Sequence, residues 1–141
     1  MIRGVNHVTF AVADLERSLA FYEGLLGMRL AARWPRGAYL RAGTLWVALV
    51  VDDATREGPL PEYTHLAFDV APEDFEALAE RVAAEAEPFQ ENRSEGASLY
   101  FLDPDGHKLE LHASDLDARL AAARQAPWEG LEILEPDPAA R

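Results

Sequence analysis

The chain has no cysteine, and this absence alone removes disulfides, thiolate metal sites and an internal thiol nucleophile. Basic residues are scarce as well: 13 Lys and Arg stand against 25 Asp and Glu, for a formal net charge of −12. Nucleic acid and anionic membrane surfaces both attract net basic faces, so neither is expected as a partner. No run approaches the roughly 18 apolar residues that a membrane-crossing helix needs. The N-terminus also lacks the basic, apolar and small-residue succession of a secretory signal. Together these absences point to a cytoplasmic protein. The 141 residues, 49% of them hydrophobic, supply one domain, or two half-size repeats that share a core.

What is present is organised around Ser98–His112. Asp103-Pro104-Asp105-Gly106 is a tight turn, with Pro fixing φ and Gly taking the positive φ that a reversal needs. Before the turn, Leu99 and Phe101 alternate with Ser98 and Tyr100; after it, Leu109 and Leu111 alternate with Lys108, Glu110 and His112. Strand side chains alternate faces, so one face of this hairpin is apolar and the other carries hydroxyls and a carboxylate. A mid-strand Glu between two leucines is either an edge residue facing water or part of a site, and the rest of the chain favours a site.

The same alternation appears earlier. Val5–Val12 reads as a strand with Val8, Phe10 and Val12 on one face and His7 and Thr9 on the other. Asp14 then caps a helix carrying Leu15, Leu19, Tyr22 and Leu26, which ends at Gly27. Strands follow at Met28–Trp34, Gly37–Arg41 and Leu45–Val50, then a polar linker from Asp52 to Pro61. The pattern restarts with a strand at Tyr63–Val70, where His65 opposes Leu66, Phe68 and Val70. A helix opened by Pro72 buries Phe75, Leu78, Ala79 and Val82, and a loop from Glu87 to Gly96 leads back to the hairpin. Last, Ser114 caps a helix with Leu116 and Leu120 facing inward, and from Ala126 the tail is loosely packed.

Asn6–Val12 and Thr64–Val70 superpose with His7 on His65. This is an internal repeat, βαβββ twice. The expected organisation is a single α+β domain, with repeat one at about 1–51, a linker at 52–61, repeat two at about 62–113, and a C-terminal helix and tail at 114–141. If the strands curl, His7, His65 and Glu110 converge in the concave face of the sheet. Either histidine alone reads as a surface or hydrogen-bonded residue. Two at equivalent repeat positions, with a carboxylate on the same side of a related strand, read as an N₂O metal site with open positions, suited to Mn²⁺, Fe²⁺, Zn²⁺, Co²⁺ or Ni²⁺. His107 has the apolar parity and is expected to be a hydrogen-bonding residue; His112, at the strand end, is an alternative ligand. The Asn92–Ser98 loop is either an ordinary polar loop or a site for a monovalent cation or an anion.

His7, His65 and Glu110 on paired βαβββ units resemble the vicinal oxygen chelate (glyoxalase/bleomycin-resistance) superfamily. Asn6–Thr9, Arg33–Leu40, Leu45-Trp46, Tyr63–His65, Asn92–Gly96 and Tyr100–His107 look like the A-type fosfomycin-resistance thiol transferases. The resemblance implies a curved mixed sheet around an open metal-binding cleft and a domain-swapped homodimer, each metal held by His7 of one chain and by His65 and Glu110 of the other. It implies Mn²⁺, with K⁺ near Asn92, Ser94, Glu95, Gly96 and Ser98. It implies that Thr9, Ser94, Ser98, Tyr100 and Arg119 surround a phosphonate epoxide beside Trp46, and that Tyr39 lies toward an incoming glutathione. One departure stands out: the family carries a phosphonate-binding Lys where this chain has Gln90. Related hydrolases have a Glu base where Thr44 stands, which favours thiol over water, and bacillithiol-using relatives have Cys at Thr9, which favours glutathione. The competing expectations are a dioxygenase or lyase using the same triad, and a non-catalytic drug-binding resistance protein. The intact triad argues against the second.

Overall fold

A computed structural model describes residues 1–140. The first half runs β1 (His7–Val12), α1 (Leu15–Leu19), β2 (Arg29–Trp34), β3 (Gly37–Ala42) and β4 (Leu45–Val51). The second runs β5 (Leu66–Asp69), α2 (Pro72–Ala83), β6 (Pro88–Gln90), β7 (Ser98–Leu102) and β8 (Lys108–His112), and α3 (Leu116–Gln125) follows. Each half closes a four-stranded mixed sheet, in the orders β1-β4-β3-β2 and β5-β8-β7-β6. The first strand of each lies parallel to the last, and the remaining pairs are antiparallel. Within one chain these are two sheets, with β1 and β5 each at an edge.

The alternation places the core as the sequence predicts. Phe10, Val12, Leu40, Val47 and Leu49 from the first sheet pack with Phe68, Phe101, Leu109 and Leu111 from the second in one continuous apolar cluster. Tyr22, Leu25 and Val82 from the helical segments complete it. His7, Thr9, Tyr39, Arg41 and Trp46 have the opposite parity, and register sets His7 beside Trp46 and Tyr39 beside Ala48.

Four expectations are corrected. The first helix is α-helical only to Leu19; from Ala20 to Leu25 it widens into a π turn, so Phe21, Tyr22 and Leu25 all reach the core. The second-repeat strand is shorter, starting at Leu66 and leaving Tyr63–His65 ahead of it. The loop before the hairpin contains strand β6, paired to β7. Asp115 rather than Ser114 caps α3, accepting from Ala118 N–H at 2.8 Å, and Leu116 is exposed.

The β7–β8 turn locks the halves together. Asp103 Oδ1 accepts the backbone N–H groups of Asp105 and His107 at 3.0 and 2.8 Å, while Oδ2 accepts the Tyr22 hydroxyl at 2.6 Å. Asp105 Oδ1 accepts Ala13 N–H at 3.1 Å and Arg17 Nη2 at 2.8 Å. His107 Nε2 lies 2.8 Å from the Ala11 carbonyl and donates to it. The linker is strapped to the same turn: Lys108 Nζ donates to the carbonyls of Leu60 and Glu62 at 2.7 and 2.8 Å. Gly106 has φ +95°, and a Cβ there would lie 2.3 Å from the Gly58 carbonyl carbon, so only glycine admits the linker this closely.

Burial first, and then the Asp103 carboxylate, push the Tyr22 hydroxyl well above its ordinary value of 10.0. The unfolded chain therefore releases this proton first: the hydroxyl's share of stability is intact below about pH 10 and is lost as pH rises beyond it. Tyr22→Phe should lower stability at neutral pH by about 1–3 kcal/mol, because a buried carboxylate oxygen loses its donor. It should also flatten the alkaline fall. Urea unfolding midpoints across pH 7 to 11 measure both effects.

Candidate metal centre

β8 presents Glu110 on the face opposite Leu109 and Leu111, beneath the segment that carries His65. The Glu110 carboxylate is 5% exposed. Its Oε1 lies 3.0 Å from His65 Nε2. Its Oε2 accepts the Ser98 hydroxyl at 2.7 Å and lies 3.2 Å from His112 Nδ1, and Ser98 Oγ is 2.6 Å from that same nitrogen. At this distance a protonated Nε2 donates to Oε1, and the same two atoms, with Nε2 deprotonated, are placed to share one cation. Their separation suits two neighbouring ligands of one ion with bonds of about 2.1 Å. The donor set, one imidazole and one carboxylate, fits a divalent first-row metal.

His65, Glu110 and His112 line a cavity of about 660 Å³ with Tyr63, Gln90, Arg93, Ser94, Tyr100 and Arg119. Arg119, from α3, reaches Ser94 Oγ at 3.3 Å and the Glu95 carbonyl at 3.2 Å, with its Nε 3.4 Å from Glu95 Oε2. Glu95 also accepts the Ser114 hydroxyl at 2.8 Å. The loop closes on itself: Asn92 Nδ2 donates to the Gly96 carbonyl, and Asn92 Oδ1 accepts from Ser94. Gln90 is drawn to one side, donating to the Tyr63 hydroxyl at 2.9 Å.

The chain thus gathers His65, Glu110, Gln90, Ser94, Ser98, Tyr100 and Arg119 at one place. It does not bring His7, Thr9, Tyr39 or Trp46 there. His7 stands on the other sheet, its Nδ1 2.8 Å from Asn6 Oδ1 and its ring 4.3 Å from the Trp46 ring. Tyr39 packs edge-on between Trp34 and Trp46, with ring centroids 4.7 and 5.1 Å away. These three aromatic residues are 37–39% exposed. Thr9 lines a neighbouring cavity, which His65 also borders. Thr44 lies in the β3–β4 turn, beside a third cavity. Among the described residues, the one convergence of three ligand-type groups within 4.8 Å is Asp103, Asp105 and His107. There, Asp103 is saturated by protein donors and His107 is engaged with Ala11, as the lock between halves requires; Asp105 Oδ2 alone has no partner.

His112 is not placed as an alternative ligand through Nδ1, since that nitrogen faces Ser98 and Glu110. Hairpin register carried the signal: with the turn at Asp103–Gly106, Ser98 falls opposite His112 and Tyr100 opposite Glu110. Tyr63 was missed as well, although it shares the parity of His65, and their rings lie 5.1 Å apart. Arg93 also lines the cavity without having been singled out.

Comparison with known proteins gives concordant results. The chain is 54% identical over 134 residues to a glutathione transferase FosA of Serratia marcescens, covering 93% of this chain and 95% of that one. It is 36% identical over 124 residues to a metallothiol transferase FosB of Lysinibacillus sphaericus, covering 84% and 88%. Among solved structures, the fosfomycin resistance protein FosX of Mesorhizobium loti superposes with a TM-score of 0.70 at 36% identity, covering 85% of this chain and 99% of that one. A mutant of the FosX of Listeria monocytogenes, solved with Mn(II) and 1S,2S-dihydroxypropylphosphonic acid, superposes with a TM-score of 0.70 at 30% identity, covering 86% and 99%. Residues 4–111 match the family described as Glyoxalase/Bleomycin resistance protein/Dioxygenase superfamily, and this chain belongs to it.

Proposed function

We propose that this chain is a metal-dependent thiol transferase that opens the epoxide of fosfomycin, or of a related phosphonate, with glutathione. It works as a homodimer, with Mn²⁺ at each site and K⁺ in the Asn92–Ser98 loop. The observation that carries this reading is the His65–Glu110 pair, 3.0 Å apart, in a cavity that also holds Arg93 and Arg119. A metal pair beside guanidinium groups suits a small substrate bearing a phosphonate next to the reacting oxygen. The names of the transferase relatives, and the Mn(II) and phosphonate held by a FosX, support the same reading.

A divalent ion held by His65, Glu110 and the His7 of a second copy would supply Lewis-acid polarisation of the epoxide oxygen. Arg119, Ser94 and Tyr100 bind and orient the phosphonate, so the attack gains from fixed geometry. Thr9, carried on the same strand as His7, donates a hydrogen bond to the ring oxygen. The nucleophile comes from outside, since the chain has no cysteine. A free thiol ionises at about pH 8.5, and the Tyr39 hydroxyl stabilises its thiolate. The C–S bond forms as the C–O bond breaks, and the thiol proton ends on the ring oxygen.

Three features of the described residues support a second copy. His7, Trp46 and Tyr39 form an exposed face, β1 and β5 lie at sheet edges, and among the described residues no group of three ligands gathers at His65 and Glu110.

Phosphorus NMR of fosfomycin with glutathione, Mn²⁺ and K⁺ should show a new adduct resonance that Glu110→Gln abolishes. Absence of adduct with the unaltered protein refutes the activity. Mixing two inactive variants, His7→Ala and Glu110→Gln, should restore about a quarter of wild-type activity, because each mixed dimer carries one intact site; no recovery would place all ligands within one chain. Gln90→Lys adds a charged hydrogen bond worth roughly 1.5–3 kcal/mol, so KM for fosfomycin should fall by about one to two orders of magnitude.

A further inference from the structure

Glu110 has two oxygens, and the structure treats them differently. Oε1 faces His65 in the cavity, while Oε2 is held from the other side by Ser98 and His112. The proton positions follow from the chemistry of the three groups. The carboxylate only accepts, so the Ser98 hydroxyl gives it its single proton at 2.7 Å. Ser98 Oγ must then accept from His112 Nδ1 at 2.6 Å. A bare lone pair on Nδ1 would face two other lone pairs, so Nδ1 carries the proton.

The histidine ring is itself fixed in place. The Gly96 backbone, at φ +85°, passes so close that a Cβ there would sit 3.2 Å from His112 Cε1 and 2.6 Å from Ser114 Cβ. Ser114 in turn donates to Glu95, which lies 3.4 Å from Arg119 Nε. The ring is therefore wedged between the Gly96 loop and the carboxylate.

We propose that His112 is a positioning residue: together with Ser98 it occupies Oε2 of Glu110, so that Oε1 alone is offered to the divalent ion. This rests on the metal-dependent reading above. A carboxylate freed to bind through both oxygens would fill one more coordination position, which a substrate oxygen needs. The hydrogen bonds thus hold a place open as well as fixing the ligand.

Mn²⁺ titration of the full-length protein, followed by electron paramagnetic resonance, tests this without turnover. His112→Leu should bind Mn²⁺ roughly 10- to 100-fold more weakly and should alter the spectrum of the bound ion. His112→Asn, whose amide N–H reaches the position of Nδ1, should retain near-wild-type affinity and spectrum. Wild-type behaviour in His112→Leu overturns the assignment. So does a folded His112→Asn that fails as badly as His112→Leu, since packing rather than the hydrogen bond would then be at work. If His112→Leu does not fold, Ser98→Ala decides: weaker binding supports the relay, and unchanged binding refutes it. Failure of the unaltered protein to bind Mn²⁺, or undiminished binding by Glu110→Gln, overturns the metal reading and this inference with it.

Discussion

Asp103 accepts hydrogen bonds from three donors drawn from both halves of the chain, and the arrangement of everything else depends on it. Its neighbours Asp105 and His107 extend the same contact to Ala13, Arg17 and Ala11. A buried carboxylate that loses one of these donors is left partly unsatisfied, which costs stability. By fastening the β7–β8 turn to the β1–α1 corner, it sets the two sheets around one core with their polar faces turned outward. His7 lies exposed on the polar face of the first sheet, and Glu110 lies on that of the second, buried beneath its cavity.

The candidate centre mixes both signs of charge in a protein whose net charge is −12. Arg93 and Arg119 line the cavity together with two carboxylates, Glu91 and Glu110. Glu95 sits against Arg119 and tempers that positive charge. Gln90, hydrogen-bonded to Tyr63, adds a neutral amide where a lysine would add a charge. The balance between these groups sets the charge that the cavity presents.

Much of this was legible from alternation. Residues of one parity on β1, β3, β4, β7 and β8 define the core, and those of the other parity carry His7, Tyr39, Trp46, Tyr100 and Glu110. Period two is a strong signal where a strand has one buried face, so these positions were readable. Strand β6 was not: three residues starting at Pro88 show no period. The π turn from Ala20 to Leu25 was hidden because an apolar stripe at α-helical spacing tolerates one extra residue per turn without changing its composition. The cap of α3 passed from Ser114 to Asp115 because Ser114 is engaged with Glu95, a contact between segments 19 residues apart that no local pattern records. The role of His112 depends on cross-strand register, which the turn implies but parity alone does not convey.

The strap across the linker bears on assembly. In many intertwined proteins the connecting segment is a hinge, and partners exchange only after it opens and part of each fold is undone. Here Lys108 and the bare Gly106 backbone hold that segment down on its own chain, and both halves share one apolar interior. Each chain thus completes its own fold. In the two-copy assembly proposed above, pairing is then the docking of two rigid bodies, with an exchange rate governed by surface contact rather than by refolding.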